Sequence, residues 1–99
     1  MAEVQVVSWR DIPAQVKARR GRDRAAQVLS QRFQEAIDAA AMRVGLTETE
    51  AYLGEWRASS WEEQPGTPEE AAARRAAELE REYSDERLAA LVERGGREA

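Results

Sequence analysis

The chain contains neither cysteine nor histidine among its 99 residues. Without cysteine there is no disulfide, no thiolate nucleophile and no zinc–thiolate site. Without histidine the commonest general base near neutral pH is missing. No apolar run approaches the ~20 residues needed to span a bilayer. The opening residues MAEVQVV lack both the basic and the hydrophobic part of a secretory signal. These absences fit a cytoplasmic protein without a membrane span, and no cofactor or metal ligand set is expected. No GxxxxGK[ST] or EF-hand spacing occurs. The carboxylate pairs Glu62-Glu63 and Glu69-Glu70 fall where water keeps them ordinary, and no serine has a visible activating partner. An enzyme is therefore the least favoured class.

Charge is present in quantity and unevenly placed. Charged residues make up 34% of the chain and hydrophobic ones 42%, which suits one small globular domain. Residues 1–45 hold eight Lys/Arg against five Asp/Glu, and residues 46–99 hold seven against fourteen. The formal net charge is −4. Such polarity points either to a binding face at the basic end or to pairing between the halves.

Alternation over residues 3–9 and 14–19 reads as two strands of a hairpin, with a turn at Arg10-Asp11-Ile12-Pro13. Ala26, Leu29, Phe33, Ile37, Ala40 and Val44 follow in steps of three or four. They predict one long amphipathic helix over 23–44, capped by Asp23 and closed by Gly45-Leu46. Gln34 with Asp38, and Arg32 with Glu35, are then helical neighbours. Thr47-Glu48-Thr49-Glu50 is a capping box for a short helix. Residues 55–62 admit a third strand. Thr67-Pro68-Glu69-Glu70 opens a helix over 68–83, and Ser84 caps another over 85–94. The expected fold is α+β, a small hairpin or sheet packed on one long helix. Residues 1–66 form the core unit, and 67–99 add two acidic helices to the same domain.

The runs WRDIPAQV (9–16), LSQRFQEAI (29–37) and AMRVGL (41–46) resemble a small bacterial family, the virulence factor domain. It also occurs at the C-terminus of larger conserved virulence factors. The resemblance covers roughly residues 4–58. It implies no catalytic residues, and its name records a phenotype rather than a reaction.

Four groups are candidates for binding, one of them the polar ridge of Gln31, Glu35 and Asp38 on the long helix, whose plainer reading is an ordinary solvated face. Lys17, Arg19, Arg20, Arg22 and Arg24 place five cations in eight positions, which suits phosphate or another anion. The plainer reading is a solvated face that meets the acidic C-terminal helices. Trp9, Arg10 and Asp11 could grip a planar or anionic ligand. The plainer reading has Trp9 in the core and Asp11 holding the turn. Tyr52, Trp56 and Trp61 are the last group, with Trp56 expected in the core and Trp61 at the surface. The leading expectation is a non-enzymatic module that binds another protein. The alternative is an anionic ligand or nucleic acid held by residues 17–24.

Overall fold

The alternation at the N-terminus is realised as an antiparallel hairpin, β1 (Ala2–Trp9) and β2 (Ile12–Arg20), in a computed structural model that describes residues 1–46 and 48–98. The turn is only Arg10-Asp11. Pro13 lies within β2 rather than in the turn, opposite Ser8, where the register shifts between Val7 and Ser8. A proline is tolerated there because the bulge already interrupts the ladder. Gly21 and Arg22 form a second tight turn, Gly21 taking φ +60°. The chain returns as β3 (Asp23–Val28), paired with β2 from Arg20↔Asp23 to Gln15↔Val28.

This third strand corrects the expectation of a helix over 23–44. The first helix, α1, runs Gln31–Arg43, and Asp23 opens a strand rather than capping a helix. Ala26 and Val44, placed on the core stripe by spacing alone, are exposed at the surface. Leu29, Phe33, Ile37 and Ala40 are buried as expected. Gly45 at φ +73° closes α1. Its N–H reaches Met42 O and the Leu46 N–H reaches Ala41 O, the two bonds of a Schellman end.

A short helix, α2 (Thr49–Leu53), follows with Glu48 at its N-cap; the box expected on Thr47 lies outside the described residues. The third strand expected near 55–62 appears as two pieces. β4 (Trp56–Ala58) pairs with Val7–Trp9, and β5 (Glu62–Gln64) with Ala2–Val4. The sheet is thus five-stranded and antiparallel, in the order β3-β2-β1-β4 with β5 beside β1. α3 (Pro68–Glu82) starts at a complete Thr67/Glu70 capping box. The Thr67 N–H bonded to the Glu70 carboxylate holds that carboxyl below the usual range. α4 (Asp85–Glu93) starts at Ser84, whose hydroxyl accepts from the Arg87 N–H.

α3 packs across β1, β2 and β3, and α1 packs on β2 and α4. α3 therefore lies on the sheet face that carries Val4, Val16 and Ala18. Val4, Val16 and Ala18 of the sheet join Ala71, Ala72, Ala76 and Leu79 of α3 in the core. Phe33 and Ile37 of α1 join it together with Leu88 and Leu91 of α4.

The start of α1 and the end of α3 cap one another. Ser30 is the N-cap of α1, yet its side chain makes no bond to its own helix. Its N–H and hydroxyl donate instead to the Glu80 carboxylate, at 2.7 and 2.8 Å. Arg32 reaches back to the carbonyls of Glu80 and Tyr83, at 2.8 and 2.6 Å, and to the carboxylates of Glu80 and Asp85. Burial pushes the Glu80 carboxyl up, but the bonds from Ser30 and Arg32 outweigh it and leave it below the ordinary glutamate range.

Two outcomes follow. Phe33 is 1% exposed. Phe33→Ala should cost about 3–5 kcal/mol, read as a fall in the urea midpoint at constant slope. The depressed Glu80 value means the folded state holds its proton less tightly than the unfolded chain. Its contribution is present above the ordinary glutamate value and is lost as pH falls through the folded value. Glu80→Gln should therefore lower stability near neutral pH and flatten the acid limb of the stability–pH curve. An unchanged acid limb would show that Glu80 carries no such linkage.

Candidate functional site

Over β3 and the adjoining part of β2, the sheet face away from α3 is open to water, with Lys17, Arg24, Ala26 and Val28 all exposed. The register decides which side chains stand there. Glu3, Arg19 and Arg24 form one cross-strand row; Gln5, Lys17 and Ala26 form the next. Directly opposed residues share a face, so Lys17, Arg19 and Arg24 stand together on the open side. Trp61, in the break between β4 and β5, lies beside them, with the Arg19 guanidinium 3.9 Å from its ring centroid. These side chains line a shallow groove of about 520 Å³, floored by alanine.

The charges in the groove are only partly matched. Arg19 pairs with Glu3 at 3.1 Å. Among the described residues, Lys17 and Arg24 have no carboxylate within ion-pair distance. Arg24 also sits directly opposite Arg19, a like-charge pair that is unfavourable by itself. The groove therefore offers an unbalanced positive charge, a tryptophan edge and a small apolar floor.

The other two cations of the 17–24 run are elsewhere. Arg20 follows Ala18 onto the helix-covered side, where its charge acts on Glu70 at the start of α3. Arg22 is exposed in the turn. No helix begins at 23, so the backbone amides that a helix N-terminus would lend to an anion are absent from this place. Contact with the acidic helices is made chiefly by Arg32, through Glu80 and Asp85.

Trp9, Arg10 and Asp11 are brought together in a different role. Trp9 is fully buried, stacks on Tyr52 with centroids 5.7 Å apart, and donates its indole N–H to Tyr52 O at 2.9 Å. Arg10 adopts φ +50°, and its guanidinium reaches Gly95 O at 2.9 Å and Glu55 at 3.1 Å. Asp11 pairs with Arg57 and accepts from the Glu98 N–H at 2.7 Å. The C-terminal glycines close over this turn. A Cβ on Gly96 would stand 2.9 Å from the Trp9 ring. The polar atoms of the three residues are thus engaged mostly within the chain, by Tyr52, Glu55, Arg57, Gly95 and Glu98, while Arg10 Nε is buried without a partner.

A second groove, of about 350 Å³, runs past Ser8, Ser59 and Tyr83 to this turn. Burial raises the Tyr83 hydroxyl above its ordinary value. Its charged groups Arg57 and Asp11 already pair with each other. Trp56 is half-buried against the core and packs edge-on to Tyr52. Trp61 is half-buried as well, less exposed than its neighbours suggest, because Arg19 covers one face.

Gln5 and Ala26 belong to the open groove and carry no mark in the local sequence. The period-two pattern Arg24, Ala26, Val28 is the signal that would have placed them. Among the described residues no cluster of three or more Asp/Glu could hold a metal ion, and no helix is long and apolar enough to cross a membrane.

No curated protein and no solved structure matches the chain. The family model described as Virulence factor matches residues 7–92, which include the groove residues from Lys17 to Trp61 but not Gln5. With most of its length so matched, the chain belongs to the virulence factor family.

Proposed function

We propose that this domain is a non-enzymatic binding module that engages a partner protein through the open face of its sheet. The observation that carries this reading is the pair of unmatched cations, Lys17 and Arg24, beside the Arg19–Trp61 stack. Tryptophan and arginine are the residue types that dominate protein interfaces. Arg19 is already held by Glu3 and Trp61, so a partner would meet it in place and little side-chain freedom is lost on binding. The rest of the molecule supports a protein over a polyanion. A net charge of −4 repels a long polyanion from most other faces.

The second reading is nucleic acid or another anionic ligand. The juxtaposition of Trp61 with three cations favours it, since single strands are held by base stacking over a basic groove.

The test compares the wild-type protein with Lys17→Glu/Arg24→Glu and with Trp61→Ala. Both positions 17 and 24 are exposed, and a glutamate at 24 would face Arg19, so thermal stability should stay within about 0.5 kcal/mol for the double variant. Affinity capture from the native cell should return a protein that both variants lose. A labelled oligonucleotide should not bind near physiological salt. Micromolar oligonucleotide binding that weakens steeply with salt, and less steeply in the double variant, would instead establish the second reading.

A further inference from the structure

The two edges of the sheet are built differently. On one side β1 is covered by two strands of three residues each, β4 and β5. Between them the chain turns in. The Ser59 hydroxyl accepts the Val6 N–H at 2.9 Å, and the Ser59 N–H donates to Val6 O. An edge broken in this way offers no continuous row of main-chain groups to another strand. On the other side β3 is six residues long, with an unbroken register and no proline, glycine or lysine within it. Its charged residues, Asp23 and Arg24, are confined to its first two positions.

The direction of its main-chain groups follows from one bond. The Leu29 N–H donates to Ala14 O at 3.0 Å, in the same register as the β2–β3 ladder. In an antiparallel pair the inward-bonding residues alternate, so Ala25 and Gln27 also face β2. The N–H and C=O groups of Arg24, Ala26 and Val28 therefore point away from the sheet. Among the described residues no main-chain group bonds to them from outside, and the one side-chain bond they receive is a long one, from the Gln27 amide to Val28 O at 3.4 Å. Every residue of β3 except Ala25 is exposed, and Val28 is 70% exposed.

Arg24, Ala26 and Val28 are also the β3 residues whose side chains stand on the open face. A strand laid against this edge would thus meet free hydrogen-bonding groups and the cationic groove at once. A side chain directly opposite Arg24 would lie about 5 Å from it, Cβ to Cβ, with Arg19 one strand further in and Lys17 diagonal to Arg24. A side chain four positions away on the same face would cover Val28.

We infer that β3 receives an extended acidic segment of a partner protein as a sixth strand, with a carboxylate opposite Arg24 and an apolar residue opposite Val28. This rests on the binding-face reading above and names its mode. Charge selects the occupant. The unmatched cations Lys17 and Arg24 favour carboxylates, whereas a second copy would bring an identical Arg24-bearing edge against this one.

The probe is a fluorescent synthetic peptide of about eight residues, alternating glutamate with threonine on one face and ending in valine at the position opposite Val28. It should bind the full chain, and a lysine-for-glutamate version should not. Ala26→Pro removes an outward N–H without touching the β2 ladder, and proline is tolerated at such edge positions. It should weaken the peptide at least about tenfold. N-methylation of alternate peptide amides should do the same, and it decides the question even if the proline variant fails to fold. If N-methylation and Ala26→Pro leave affinity unchanged while Lys17→Glu/Arg24→Glu abolishes it, strand addition is overturned and the binding face stands. If none of the three changes affinity, both readings fall. No peptide binding up to about 1 mM overturns the inference. So does a dimer of the chain alone that Ala26→Pro abolishes, or an oligothymidylate that binds more tightly than the peptide and ignores Ala26→Pro.

Discussion

The rest of the structure hangs on the mutual capping of α1 and α3 at Ser30, Arg32 and Glu80. A helix leaves its first N–H and last C=O groups without partners inside the helix. Here each helix supplies charged groups for the other's open end. Glu80 receives the N–H and hydroxyl that begin α1, and Arg32 takes carbonyls that end α3. Bonds to charged groups are individually worth about 1.5–3 kcal/mol when buried. These side chains are about a third exposed, so their worth lies nearer the surface-pair range, and geometry matters more than magnitude. The clamp fixes where β3 must stop, where α1 must begin, and how α3 crosses the sheet.

A sheet crossed by α3 on one face follows directly. α3 meets the strands with Ala71, Ala72 and Ala76, small side chains that let it pack closely across three strands, and with Leu79 towards its end. The bulk of the core is then collected at the far end, where Trp9, Ile12, Phe33, Ile37 and Leu91 are fully or almost fully buried. With α3 used on that side, the groove on the other face is bordered by Trp61, and Glu63 of β5 stands opposite Glu3 in the same row. The charge asymmetry between the two halves is consumed only in part. Arg10 pairs with Glu55, Arg32 with Glu80 and Asp85, and Asp11 with Arg57, all across the division. Lys17 and Arg24 are not in that set.

Local sequence carried the hairpin, the Gly45 end and the starts of α3 and α4, because each of those is decided by neighbours within a few positions. It misled at 23–28. Ala26, Leu29 and Phe33 keep helical spacing, and alanine and arginine are good helix formers, so β3 hides inside an apparent helix. The competing order is period two, Arg24-Ala26-Val28, and it wins only because β2 lies alongside. The two pieces of β4 and β5 were legible as one strand at most, since their break depends on Ser59 meeting Val6 more than fifty residues away. Arg32 looked like the helical partner of Glu35, and its actual carboxylates are those of Glu80 and Asp85. For the open groove, the residue types Lys17, Arg19, Arg24 and Trp61 could be named from the chain. That three of the five cations share a face while Arg20 and Arg22 do not is a fact of register.

That division gives the surface its character. Arg19 and Arg24 stand directly opposite each other, which is unfavourable for folding, and only Arg19 is relieved, by Glu3 and Trp61. In water such repulsion is weak, because the dielectric and salt screen it. The same pair changes weight when a partner excludes water from the groove. Coulomb terms grow as the local dielectric falls, so a carboxylate brought opposite Arg24 gains attraction to two cations and relieves their repulsion. A carboxylate brought anywhere along the acidic helices meets the reverse. Under the proposed strand addition, the like-charge Arg19–Arg24 pair is inexpensive in the free protein and selective in the complex.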